Sequence, residues 1–97
     1  MVIKGDAMAD LQKARMVINE VDEKIASNFV ERMKAVEEVI AYKIENDLPI
    51  FDSKREEEVI QKNLSYLKNK DYRFVLEGFF RNLMNLSKLI QNEENHR

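Results

Sequence analysis

A chain of 97 residues bounds the molecule at one domain. With 44% apolar and 35% charged residues, two glycines and one proline, it has the composition of a helical protein and too few turn formers for a β-rich one. A formal charge of −2 speaks against a general nucleic-acid-binding surface, and the absence of cysteine excludes disulfides, thiolate nucleophiles and zinc–sulfur sites.

Apolar residues recur at a helical period from Leu11 through Ile18, Val21, Ile25, Phe29, Val36 and Val39 to Ile40. Nothing in residues 7–46 breaks a helix, and Asp6, just after Gly5, is placed to cap its start. The pattern predicts one helix of roughly 40 residues, some 60 Å long at about 1.5 Å per residue. A lone domain of this size has a radius of gyration near about 13 Å. The other half of the chain therefore cannot cover the stripe, and a second copy is the simplest partner. The stretch NDLPIFDSKREE (46–57) follows. Its Pro49 is expected to close the first helix, because the residue before proline resists the helical conformation. A second helix should start at Asp52 or Ser53 and run to about Leu67. Asp52 is a good N-cap, while Ser53 and Glu56 also fit a capping box. After a polar link at 68–70, Asp71 is expected to cap a third helix carrying Phe74, Val75, Phe79, Phe80, Leu83, Met84, Leu86, Leu89 and Ile90. The tail NEENHR should fray. There is no internal repeat, and no low-complexity segment beyond the acidic patch 56–58. No run of about 18 apolar residues is present to span a membrane. The start MVIKGDAMAD lacks the apolar core of a signal peptide, so a cytoplasmic protein is expected.

Polar side chains fall where the stripes call for apolar ones. On a wheel with Leu11 at zero, the apolar stripe of the first helix spans about −80° to +20°. Arg32 falls near about −60° and Lys43 near about −40°, about three turns apart on the same face. Arg15, near about +40°, lies at the edge and does not readily face the same spot within one chain. In the third helix, with Phe80 at zero, Ser87 lies near about −20° and Gln91 near about +20°, in the middle of the apolar face. A buried, unpaired cation costs several kcal/mol. One account of these misfits is an internal salt-bridge network, with Asn28, Glu31 or a carboxylate across a dimer serving Arg32, or with long stems carrying the charges out to water. The other is a polar pocket inside a helical bundle, rich in Arg and Lys and suited to a small anion bearing carboxylates.

Arg15, Ile18 and Asp22 in an R-x-x-I-x-x-x-D pattern are followed by ERM (31–33) and, after nine intervening residues, Lys43, then by LPIFDSKRE (48–56), then by Ser87 and Gln91 as S-x-x-x-Q. In this order and spacing they resemble the all-helical class of chorismate mutases, over most of the chain. The resemblance implies an all-α fold with three helices per chain, one very long, in an intertwined helical-bundle homodimer with residues 1–97 as a single domain. It implies a monofunctional isomerase of aromatic amino acid biosynthesis, part of the shikimate pathway, that rearranges chorismate to prephenate with no cofactor and no metal. Arg32 and Arg15 would each grip a substrate carboxylate, with Arg15 arriving from the partner chain. Lys43 and Gln91 would hydrogen-bond the ether oxygen, where negative charge grows as the C–O bond stretches. Asp52, through its backbone, and Glu56 would hold the ring hydroxyl. Ser87 would support the carboxylate region, and Arg55 would line the site. Gln91 is a neutral donor and needs no protonation, so no acid pH should be required.

Two rival readings use the same residues. A lyase on the same fold that releases pyruvate from isochorismate would use the same Arg and Lys set; Asp52 and Glu56 favour the mutase. A non-enzymatic helical dimerisation module would instead pair Arg32, Lys43 and Gln91 internally. Glu93-x-x-His96 has the spacing of a di-iron helix motif, but one copy near a chain end is poor evidence for a metal site. The five methionines read as starts, surface or core filler.

Overall fold

A computed structural model of the chain describes residues 4–95, and the side chains of 7–92. Three α-helices account for nearly all of it: α1 (Lys4–Glu45), α2 (Ser53–Ser65) and α3 (Arg73–Asn95), with a 3-10 turn at Lys70–Tyr72. The 42-residue α1 matches the long first helix expected from periodicity. It begins at Lys4, so Asp6 lies inside the first turn instead of capping it. No helix among the described residues is long and apolar enough to cross a membrane.

α1 ends in a Schellman motif rather than at Pro49 itself. The Leu48 N–H donates to the Lys43 carbonyl at 2.8 Å and the Asp47 N–H to the Ile44 carbonyl at 3.2 Å. Asp47 takes the left-handed conformation this closure needs, with φ of 58°. Pro49 lies just beyond, where proline commonly follows such a stop. α2 is capped by Asp52, whose Oδ1 accepts from the Arg55 N–H at 3.0 Å. Glu56 is engaged elsewhere, so the alternative capping box from Ser53 does not form. α2 stops at Ser65, two residues short of the expected end. Asp71 does not cap the third helix: it lies within the 3-10 turn, where the Asn69 side chain accepts from its N–H at 2.9 Å. α3 continues through Asn95, so residues 92–95 are helical rather than frayed.

The chain divides into two units, one ending at Arg32 and one beginning at Met33. The first is the N-terminal part of α1, and its stripe is uncovered: Leu11, Ile18, Val21, Ile25 and Phe29 are all exposed. In the second unit, Ile60 and Leu64 of α2 pack with Met84 of α3, flanked by Val59, Leu76 and Phe80. Each such fully buried side chain contributes about 1.5–3 kcal/mol. On the C-terminal part of α1, Ile40 is buried and Val36 half-buried on the inner line that the wheel assigns to this helix, and Met33, at the edge of that line, is buried as well.

Candidate active site

Lys43 sits on that inner line of α1 and is half-buried. Its Nζ donates to the carbonyl of Ile50 at 3.1 Å. The Schellman turn makes this possible by folding residues 48–50 back past the end of α1, so the ammonium is held beside the segment that leads into α2. An ammonium carries three donors, and one is used here. Two residues on, Asp52 is committed on both sides: its side chain caps α2, and its carbonyl accepts from the Glu56 N–H at 3.0 Å. Arg55, in the first turn of α2, has an exposed side chain.

Glu56 turns toward α3. Its Oε2 lies 3.1 Å from the Lys88 Nζ, with the two side chains 23% and 38% exposed. Glu57 takes the neighbouring cation, Arg81, at 3.1 Å, and Arg81 is braced in turn by Glu77 at 2.8 Å. The hydrogen bond from Arg81, helped by one from Gln61, holds the Glu57 carboxyl below the usual glutamate range; the bonds Arg81 makes to Glu57 and then to Glu77 raise its guanidinium above the ordinary arginine range. A groove of about 280 Å³ between α2 and α3 is lined by Ser53, Glu56, Glu57, Arg81, Asn85 and Lys88 over Ile60 and Met84. Of the eight candidates it includes only Glu56. A larger hollow beside Glu20, Glu23, Lys24, Ser27 and Asn28 is lined by α1 alone and is an open helix flank.

Ser87 and Gln91 lie one turn apart on α3, inside its apolar face as the wheel requires. Ser87 is buried, and its hydroxyl donates to the Leu83 carbonyl at 2.9 Å. Gln91 is half-buried, and its Oε1 is fully buried with no hydrogen-bond partner. Leaving such an atom unpaired costs about 1–3 kcal/mol. A half-turn of the amide exchanges oxygen and NH₂ at that position, so it can present either an acceptor or a donor.

The two remaining arginines belong to the first unit. Arg15 is exposed on α1. Arg32 is half-buried, and desolvation lowers its guanidinium from the ordinary arginine range. A partly desolvated guanidinium gains more from a carboxylate than one in open water.

The structure thus links Lys43 to the turn before Asp52, and ties Asp52 to the first turn of α2 with Glu56. Lys88 and Arg81 are the charged groups that sequence reasoning passed over. Both flank the apolar face of α3, near about +80° and +100° on the Phe80 wheel. Their complementarity to Glu56 and Glu57 was the available signal. Among the described residues no group of three or more His, Asp or Glu is arranged to hold a metal ion. His96 and the Glu93 side chain lie outside the described residues.

The sequence model of the family described as chorismate mutase type II matches residues 14–92. No curated protein and no solved structure gives a match.

Proposed function

The chain belongs to the chorismate mutase type II family, and on that premise we propose that it catalyses the rearrangement of chorismate to prephenate. The match over residues 14–92 carries this reading, since it spans every candidate from Arg15 to Gln91. The reaction is a concerted Claisen shift in which one C–O bond breaks as one C–C bond forms, so the protein supplies position and electrostatics, not a nucleophile. Arg32 and Arg15 grip the two carboxylates and hold the enolpyruvyl arm over the ring, removing unproductive conformers. Lys43 and Gln91 donate to the ether oxygen, Glu56 and the Asp52 backbone hold the ring hydroxyl, Ser87 supports the carboxylate region and Arg55 lines the site. Two features support these roles: the half-buried Lys43 ammonium keeps donors to spare, and the Gln91 amide has one end, its Oε1, buried and unpaired. A donor already aimed where negative charge develops binds the transition state better than the substrate.

The working unit in this reading is a homodimer, with residues 1–97 one helical domain of each chain and Arg15 supplied by the partner. The exposed stripe from Leu11 to Phe29 supports a second copy as the group that covers it.

The test is a product assay. Purified protein is mixed with chorismate and, separately, with isochorismate, and products are identified by NMR. Prephenate from chorismate is expected. Pyruvate from isochorismate without efficient prephenate formation would replace the mutase with a lyase, and no product from a folded dimer would leave a non-enzymatic module.

A further inference from the structure

We propose that Lys88 is a positioning residue of this site: its ammonium fixes the Glu56 carboxylate in the orientation that receives the ring hydroxyl of the substrate. The inference rests on the mutase reading above, and names a group to which neither the sequence pattern nor the wheel assigned a role.

The geometry starts from the helix pair. α2 and α3 pack through Ile60, Leu64 and Met84. Glu56 stands one turn before Ile60, and Lys88 one turn after Met84, so an antiparallel pair brings them level just beyond the apolar cluster. The observed 3.1 Å contact is that pair. One more turn outward are Asp52, the N-cap of α2, and, on α3, Gln91. The ion pair therefore stands between the apolar cluster and the helix ends that hold other candidates.

Two local commitments make the pair selective. Asp52 performs the capping of α2, which frees Glu56 from the helix terminus. Arg81 takes Glu57 through both of its terminal nitrogens and is itself steadied by Glu77. Adjacent glutamates thus each have their own cation, and Lys88 is not shared with Glu57. A glutamate has several freely rotating bonds. With Oε2 held by Lys88, the other oxygen is left to accept from a hydroxyl, and the ordering is done before substrate arrives. Because both side chains keep some exposure, the pair adds little to stability, and its loss should be read in kinetics more than in melting.

The experiment measures prephenate formation and thermal midpoint for the wild type, Lys88→Met, Lys88→Gln, Lys88→Arg, Glu56→Gln and the double variants Glu56→Gln/Lys88→Met and Glu56→Gln/Lys88→Gln. Loss of the cation should lower kcat/KM about tenfold, with a rise in KM larger than any fall in kcat. Lys88→Arg should recover most of this, and Lys88→Met should add little once Glu56 is already Gln. An active wild type in which Lys88→Met and Lys88→Gln cost nothing, or cost as much in the Glu56→Gln background as alone, overturns the proposal and leaves the mutase reading standing. Lys88→Gln keeps the comparison open should Lys88→Met fold poorly. A wild type that makes no prephenate overturns the mutase reading and the role of Lys88 with it.

Discussion

At the scale of single residues, the proposed site depends on a few side chains that apolar packing alone would not select. Lys43 occupies a line otherwise taken by Val36 and Ile40, and its ammonium is held by the Ile50 carbonyl. Losing one preorganised donor of this kind costs about 2.7–4 kcal/mol, or about 10²–10³ in rate. Lys43→Ala should therefore slow prephenate formation by at least that factor; a loss under about tenfold would show that Lys43 is not the donor to the ether oxygen. Asp47 offers a separate test, of the fold and not of the chemistry. Its φ of 58° is left-handed, a region costly for most residues and free for glycine. Asp47→Gly should raise stability by roughly 0.5–1 kcal/mol in urea unfolding. A decrease would mean that the aspartate side chain, and not only the backbone, holds the turn.

At the scale of the elements, α2 and α3 are joined by the apolar cluster and by the Glu57–Arg81–Glu77 network on its flank. The Glu57 carboxyl is held low by Arg81, so the pair favours the fold above the ordinary glutamate range and is lost as pH falls through the lowered folded-state value. The melting gap between wild type and Arg81→Ala should accordingly be present at neutral pH, close on acidification, and narrow in high salt. A gap indifferent to both would assign the loss to packing of the Arg81 stem. The helices themselves were legible, because residues 7–46 hold no breaker and the apolar residues keep a helical period. So were Arg32, Lys43, Ser87 and Gln91, polar groups on apolar stripes that the structure finds buried or half-buried. The Asp71 cap was misread because Asn69, two residues earlier, offers its own side chain to the same backbone. The Ser53–Glu56 box was equally good on paper, and only the register of α2 against α3 gives Glu56 to Lys88. Periodicity fixes which face a residue takes but carries no information about that register.

At the scale of the whole molecule, the proposed dimer can be tested through its two arginines. Arg15→Ala and Arg32→Ala should each abolish most activity. If Arg15 acts on the neighbour's site, mixing the two variants and allowing exchange puts both lesions in one site of each mixed dimer and leaves the other intact. About a quarter of the wild-type sites should return. No recovery after demonstrated exchange would place both arginines in one chain's site. The dimer proposed to cover the exposed stripe on α1 would carry a consequence for quantity as well as form. A catalyst whose site is completed by a neighbour follows a bimolecular equilibrium, so below its dissociation constant activity falls with the square of chain concentration. A cell that halved its supply of this chain in that regime would keep about a quarter of the flux.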